Sequence, residues 1–229
     1  MSRSLLEAFY HRLMGAYGPQ GWWPLFLSSS GPLYHKGDAS FPQNDQQRLE
    51  ICLGAILTQN TSWNNVVMAL EQVGRQGLLD LNKLAELPPE ALGPVIRSAG
   101  YFNQKARYLG NLARFLLQHP FEQLRQMPTD QARKALLSVS GVGQETADSI
   151  LLYALDHPVF VIDAYSRRIF KALGFCAGTE PYDQLAAQVM AQFPPDLTRY
   201  REYHGLLVEH AKHYYQKKPY PELDPLAPS

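Results

Sequence analysis

Apolar residues recur along this chain mainly at intervals of three and four positions, which is the spacing of amphipathic helices. Asp45 to Thr58 is typical, with five apolar residues on one face: Leu49, Cys52, Leu53, Ile56 and Leu57. The same pattern predicts helices over 1–15, from Ser62 onward, from Pro88–Pro89 to Gly100, over 103–119, from a Thr129 or Asp130 cap to Leu137, and over 145–155, 164–173, 182–193 and 198–215. The one strand-like run, 159–162, is too short and solitary to found a sheet. The pattern therefore predicts an all-α protein.

Composition narrows the class of protein without naming a function. The 229 residues are 45% hydrophobic, and 21 Lys plus Arg balance 21 Asp plus Glu. A disordered polyelectrolyte is excluded, while nucleic-acid binding is neither favoured nor forbidden, because a basic patch can exist at zero net charge. No apolar run approaches the roughly 18–20 residues that span a bilayer. The two cysteines, Cys52 and Cys176, make no disulfide framework, so we expect a cytoplasmic protein with reduced thiols.

Gly141-Val142-Gly143 is the first candidate for chemistry. Two glycines around one apolar residue, between two amphipathic helices, predict a tight hairpin whose backbone can approach a partner closely. The following helix would present free N–H groups and the positive end of its dipole, which suit a phosphate oxygen. A plain helix–helix turn would have the same sequence, so this motif alone leaves DNA binding open.

Asp163 is the second candidate, because it stands directly after Val159-Phe160-Val161-Ile162 and directly before a predicted helix. An N-cap aspartate is the simplest interpretation. A carboxylate at a helix mouth, about 20 residues after a phosphate-binding hairpin, could also face the sugar of a bound nucleotide. There it would stabilise oxocarbenium-like charge and orient the attacking water. The two roles are compatible.

The hairpin, the helix and the trailing aspartate resemble the helix-hairpin-helix, Gly/Pro-rich-loop, Asp signature of the endonuclease III superfamily of DNA glycosylases. Three further segments resemble that family in the same order: 57–61 (LTQNT), 100–106 (GYFNQKA) and 203–219. The resemblance implies two helical lobes with a DNA cleft between them. We expect a central lobe over 41–151, ending in the hairpin, and a second, discontinuous lobe of 1–40 plus 152–229. Asp163 would be the catalytic residue at the lobe junction.

Two departures from the family set the expected subtype. Where bifunctional members carry a Schiff-base lysine, this chain has Glu145, which cannot be an amine nucleophile. The resemblance therefore implies a monofunctional enzyme that uses water. Lys212 to Pro225, which matches the region of the family's iron–sulfur cluster, contains no cysteine, and Tyr214 stands at the first ligand position. We expect no cluster and no other cofactor, with aromatic and proline packing fastening the tail.

The tryptophans indicate the substrate. Each is expected in isolation to be a core residue, yet Trp22-Trp23-Pro24 together with Trp63 resembles the endonuclease-III-like 3-methyladenine DNA glycosylases, whose aromatic rings sandwich the extruded base. An N-alkylated purine carries positive charge that indole faces attract, by about 1–2 kcal/mol when desolvated. Trp63 follows Gln59 by four positions, so we expect both on one helix face. Glu145 is expected to border this base pocket.

The resemblance also implies the DNA contacts. Gln59 is expected to fill the gap left by the flipped base. The other expected contacts are Asn60, the backbone of Gly141, Val142 and Gly143, and Gln144 and Thr146 at the helix start. Candidate electrostatic contacts are Lys105, Arg167, Arg168 and Lys171. An optional structural alkali ion would be bound by carbonyls near Leu137, Val139 and Val142.

The sequence thus predicts a monomeric, cytoplasmic DNA glycosylase that removes alkylated purines such as 3-methyladenine from damaged double-stranded DNA. Excision of another lesion, such as mismatched uracil or thymine or an oxidised base, is the alternative within the same class. A non-catalytic helix-hairpin-helix module is the alternative outside it. Asp163 argues against that module, because a carboxylate beside phosphates would only repel DNA.

Overall fold

The computed structural model describes residues 4–26, 31–221 and 223–227. Over these ranges the protein is helical, which confirms the predicted all-α class. Twelve α-helices run in the order α1 Leu5–Tyr17, α2 Asp45–Leu57, α3 Trp63–Arg75, α4 Leu81–Glu86, α5 Pro89–Val95, α6 Phe102–Gln118, α7 Phe121–Gln126, α8 Thr129–Leu137, α9 Gln144–Tyr153, α10 Ala164–Ala172, α11 Tyr182–Met190 and α12 Leu197–Tyr214, with a 3₁₀ turn at Arg97–Ala99. The strand-like run 159–162 is extended chain that enters α10.

Side-chain caps start many of these helices. Five N-cap residues accept a hydrogen bond from the N–H three positions on: Ser4, Asn44, Asp80, Asp163 and Asp196. The predicted cap of α8 is wrong, since Thr129 is its first helical residue and Pro128 occupies the N-cap position without a side-chain bond. The short helices α4 and α7 were not predicted, because six residues span fewer than two turns and show no periodicity.

The chain divides into two compact units. Unit 1 comprises Met1–Trp23, Tyr34–Ala39 and Pro158–Ser229, and unit 2 comprises Pro24–Leu33 and Ser40–His157. Residues 152–157, which the sequence assigned to the second lobe, pack in unit 2. There His157 donates from Nε2 to the carbonyl of Leu124 at 3.0 Å, and its Nδ1 lies 3.0 Å from the Thr129 hydroxyl.

Helix α2 is the centre of unit 2, with eleven of its thirteen residues buried. Such a helix also buries polar side chains, which need partners. Arg48 donates to the carbonyls of Ala154 and Pro42 and pairs with Asp156 at 3.3 Å. Glu50 accepts the Phe26 N–H at 2.8 Å. Glu50 lines a recess between α2, α3 and the start of α4, and the residues lining this recess include none from the helix-hairpin-helix turn.

Unit 1 packs α1 and α10 against α12. Its core is aromatic: Phe160, from the extended run, meets the ring of Tyr203 edge-on at 5.6 Å between centroids. The Tyr203 hydroxyl donates to the Leu6 carbonyl at 3.0 Å, which ties α12 to α1. Within the described ranges, no helix is long and apolar enough to cross a membrane.

The C-terminal tail of unit 1 is fastened by a buried polar network as well as by the expected aromatic packing. Asp224 accepts hydrogen bonds from His210 Nε2 and from the Tyr215 hydroxyl, both at 2.7 Å. The Leu226 N–H also donates to Asp224, at 2.8 Å. The Tyr17 hydroxyl contacts the other ring nitrogen of His210 at 2.9 Å. These contacts join the tail to α12 and α1.

Candidate active site

The turn between α8 and α9 requires one of its two glycines. Gly141 has φ +102°, and a Cβ built on it would lie 2.2 Å from the ring of Tyr108. Gly143 has an ordinary extended backbone and open space around its missing Cβ. Gly141 therefore allows the hairpin to close on α6, while Gly143 leaves the start of α9 uncovered.

Helix α9 begins without a side-chain cap, because its N-cap residue is Gly143. The side chains of Gln144 and Glu145 at this end are exposed. Such a helix start attracts anions through its N–H groups and dipole. The Val142 N–H donates instead to the Val139 carbonyl at 3.0 Å, and the Val142 side chain is buried. Val142 was one of the residues expected to contact DNA through its backbone. Its N–H and its side chain instead stabilise the turn within the protein.

Gln59 fastens the hairpin to the turn between α2 and α3. Its Nε2 donates to the Gly141 carbonyl and to the Thr146 hydroxyl, both at 3.0 Å. Thr146 is buried and holds Gln59 from α9. Asn60, the neighbour of Gln59, is exposed with φ +53°. Gln59 is thereby held beside the N-terminal end of α9.

Trp63 does not share a helix face with Gln59, so that prediction is wrong. Helix α2 ends at Leu57 and α3 begins at Trp63, which leaves Gln59 in the connecting turn. A spacing of four positions indicates a shared face only within one continuous helix. Trp63 is half-buried in unit 2.

The two carboxylate oxygens of Asp163 have different neighbours. Its Oδ1 accepts the Ser166 N–H at 2.7 Å and caps α10. Its Oδ2 lies 3.8 Å from Nε2 of His204 on α12, and the Asp163 side chain keeps 16% exposure. Burial lowers the pKa of His204, and the Asp163 charge works in the opposite direction. The site therefore holds a partly accessible carboxylate beside an imidazole that favours its neutral form.

Trp22 is held in unit 1 by α12. Glu202 accepts the N–H groups of Gln20 at 2.6 Å and Gly21 at 3.1 Å. Gly205 lies under the indole, where a Cβ would come within 2.6 Å of Trp22 Cδ1. Charge-assisted bonds to a carboxylate are among the stronger hydrogen bonds in proteins. Glu202 and Gly205 thus fix both the backbone and the ring of the Trp22 segment.

The surroundings of Trp22 are aromatic and basic. Its ring meets those of Trp23 and Tyr34 nearly edge-on, each at 5.8 Å between centroids. The Lys212 ammonium lies 5.8 Å from the Trp22 centroid and is held by Glu209 at 2.8 Å. The expected pocket of Trp22, Trp23, Trp63 and Glu145 draws on both units, and it stays a prediction.

The basic residues expected at the DNA make contacts within the protein, and for Lys105 these contacts exclude the expected role. Lys105 was expected at the DNA, yet it is 2% exposed, and its Nζ donates to the carbonyls of Leu57 and Ala99 at 2.9 and 2.7 Å. That expectation is wrong, because the ammonium caps the end of α2. Arg167 donates to the Glu180 carbonyl and Arg168 to that of Tyr215. Lys171 lies against Gly178.

Sequence reasoning missed the α12 residues Glu202, His204 and Gly205. A glycine in the interior of a helix is a signal of close approach and could have indicated Gly205. The alkali-ion site at Leu137, Val139 and Val142 also stays a prediction. Within the described residues, no group of three or more His, Cys, Asp or Glu side chains is placed to hold a metal ion.

Known proteins resemble this chain over most of its length. A protein of Methanocaldococcus jannaschii named as a DNA repair glycosylase is 38% identical over 93% of this chain and 90% of its own. Endonuclease III of Sulfolobus acidocaldarius is 26% identical over 70% of each chain.

Solved structures share the fold. The structure of the Helicobacter pylori 3-methyladenine DNA glycosylase bound to 1,N6-ethenoadenine matches with TM-score 0.62 and 33% identity, over 72% of this chain and 84% of that one. A trapped endonuclease III–DNA covalent intermediate matches with TM-score 0.63 and 21% identity, over 75% and 76%. The model of the HhH-GPD superfamily of base excision DNA repair proteins matches residues 53–195. The chain therefore belongs to the HhH-GPD superfamily, as a DNA glycosylase of base excision repair.

Proposed function

We propose that this protein is a monofunctional glycosylase that hydrolyses the N-glycosidic bond of alkylated purines, such as 3-methyladenine, in double-stranded DNA. The observation that carries the proposal is the Asp163 carboxylate, one oxygen of which caps α10 while the other lies beside neutral His204. A carboxylate fixed in this way stabilises positive charge developing at C1′ and orients the attacking water.

Hydrolysis without strand cleavage follows from Glu145. This residue lies in the first turn of α9, where bifunctional relatives carry the lysine that attacks the sugar. A carboxylate forms no Schiff base with a sugar. Water is then the nucleophile, and the abasic strand stays intact.

DNA binding is proposed to come from the start of α9 and from Gln59. The uncapped helix start suits a phosphate oxygen. Gln59, held by Gly141 and Thr146, is expected to leave these bonds and fill the space vacated by the flipped base. Extrusion costs a few kcal/mol, and less for a damaged base, which adds selectivity.

Two observations support an alkylated purine as the substrate. The Trp22 ring is held in place by α12, and the chain is 33% identical to a 3-methyladenine DNA glycosylase. An electron-rich indole attracts a cationic purine. The Lys212 ammonium, however, already lies 5.8 Å from this ring. Its charge opposes a cationic base, and this favours a second candidate function, the excision of neutral modified bases.

We further expect the enzyme to act as a monomer in the cytoplasm, where its thiols stay reduced, and without a cofactor. Two cysteines cannot supply the four thiolates of an iron–sulfur cluster. In the segment that corresponds to the cluster region of the family, the hydroxyl of buried Tyr215 instead donates a hydrogen bond to buried Asp224. Metal analysis of the purified protein tests the cofactor expectation, and sedimentation tests the monomer.

The test of function is incubation with methylated duplex DNA, with chromatography of the released bases and electrophoresis of the strands. We expect free 3-methyladenine and unbroken abasic strands, and no covalent adduct after borohydride treatment. Duplexes with ethenoadenine, or with mismatched uracil or thymine, run in parallel. If only these bases were released, the second candidate function, excision of neutral modified bases, would replace excision of alkylated purines. An adduct trapped by borohydride would contradict the monofunctional mechanism.

A further inference from the structure

The imidazole of His204, on α12, lies close to Oδ2 of Asp163, the carboxylate oxygen that does not cap α10. The 3.8 Å between Nε2 and Oδ2 exceeds a hydrogen bond but is short for an electrostatic interaction. Catalytic contacts are often long in the unliganded state and shorten in the reacting complex. The His204 side chain is only 7% exposed, so packing fixes its position.

Several titratable groups belong to the elements around His204, among them Arg201, three positions earlier on α12, which is also buried. Asp163 faces it from the start of α10. On its own helix, Glu202 directs both oxygens to backbone N–H groups of the 20–21 segment. Helix α1 presents the phenols of Tyr10 and Tyr17 to α12, and burial raises the pKa of both, so they are neutral near pH 7. The Asp163 charge raises the pKa of this imidazole against the effect of burial.

We propose that His204 is a positioning residue for Asp163: the neutral imidazole restrains the outer carboxylate oxygen while leaving its negative charge available to the sugar. This inference rests on the proposed function, because it assigns the chemical step to Asp163. A cation in the same place would pair with the carboxylate and weaken its stabilisation of oxocarbenium charge. An apolar side chain would leave the oxygen unrestrained.

The charge state of His204 gives the account a pH signature. Burial lowers the pKa of His204 below its usual value of 6.5. As pH falls through that pKa, imidazolium forms and pairs with Asp163. The rate of base release should then fall as His204 becomes protonated.

The first test needs no substrate. Histidine NMR gives the pKa of His204 in the wild type and in Asp163→Asn, where the N-cap oxygen is kept but the charge is removed. We expect a lower pKa in the variant, since Asp163 raises it. An unchanged pKa would overturn the coupling, whichever base the enzyme removes. No base release by the wild type would instead contradict the proposed function, and the NMR result would still decide the contact.

The second test measures single-turnover base release from methylated DNA against pH. His204→Leu should lose roughly tenfold or more in rate with DNA affinity unchanged, while His204→Gln should keep most of the rate and lose the acid limb that His204 protonation causes. His11→Gln, an exposed histidine of α1, is the control and should keep the wild-type profile. Circular dichroism checks folding. A wild-type rate in His204→Leu, or an unchanged acid limb in His204→Gln, would overturn the proposal.

Discussion

The hairpin of unit 2 and the Asp163 region of unit 1 are built by different means. The hairpin is a contiguous backbone turn, in which Gly141 has a positive φ and lies against Tyr108. The Asp163 region is an arrangement of side chains far apart in sequence, such as Asp163 with His204 and Glu202 with the amide of Gln20. In the proposed function, the first would present fixed dipoles to the phosphate backbone, and the second would place individual charges for the chemical step.

Because of this contrast, the two regions can support different functions. Backbone dipoles bind any DNA sequence and do not titrate. Buried side-chain charges respond to pH and to single substitutions, because removing a partner leaves the remaining charge buried and uncompensated. We therefore expect hairpin variants to change folding and DNA affinity, and Asp163-region variants to change rate and pH dependence.

The largest effect on stability is expected from Gly141→Ala. The new Cβ would meet the Tyr108 ring at 2.2 Å in a backbone conformation that L-residues rarely adopt. Strain and overpacking together should cost about 3 kcal/mol of unfolding free energy. Denaturant unfolding checks this, with Gly143→Ala as the matched control, which should cost under about 1 kcal/mol. Equal losses in the two variants would contradict the account of the turn.

Glu50→Gln tests a buried charge in unit 2 that lies away from the hairpin. Burial raises the pKa of Glu50 to about 7, although the Phe26 N–H works against it. The folded state therefore keeps a proton that the unfolded chain releases near 4.5, so the contribution of Glu50 to stability is greatest below pH 4.5 and is lost as pH rises through 7. The substitution should add roughly 2–3 kcal/mol at pH 8.5 and little at pH 4.

The measurement is urea unfolding of wild type and Glu50→Gln at both pH values. Glu86→Gln, an exposed carboxylate at the end of α4, is the control and should follow the wild type. A Glu50→Gln protein that is no more stable at pH 8.5 would show that this carboxyl is ionised in the fold at no cost.

A smaller effect is expected from Asp224→Asn in unit 1. Burial disfavours the ionised form of Asp224, but hydrogen bonds from His210, Tyr215 and the Leu226 N–H outweigh it and lower the pKa. Losing the charge should cost about 2 kcal/mol near neutral pH. The wild type should lose the same contribution on acidification through that lowered pKa.

Hydrogen exchange distinguishes the two units in this variant. Amides of α1 and the end of α12 should exchange faster in Asp224→Asn, while those of α8 and α9 should keep their protection. Equal acceleration in α8 and α9 would show that the tail stabilises the whole chain, and the comparison of the units would lose its basis.

How far the sequence predicts the molecule follows the same division. The all-α class, most helix positions and the turn at Gly141 were predictable, because period and glycine placement are local signals. Asp163 was predictable as an N-cap and as a catalytic candidate for the same reason. His204, Glu202 and Asp224 were not, because their roles come from partners in distant segments. Lys105 shows the reverse error, since a lysine reads as a surface charge until the carbonyls around it are known.

The most direct test of the division between binding and chemistry is a paired measurement on Asp163→Asn. Affinity is measured on a duplex with a stable abasic-site analogue, and the single-turnover rate of base release on methylated duplex DNA. We expect a rate at least about 100-fold lower than that of the wild type, with affinity within about threefold of the wild type. A rate near that of the wild type, or parallel loss of rate and affinity, would contradict the assignment of chemistry to Asp163.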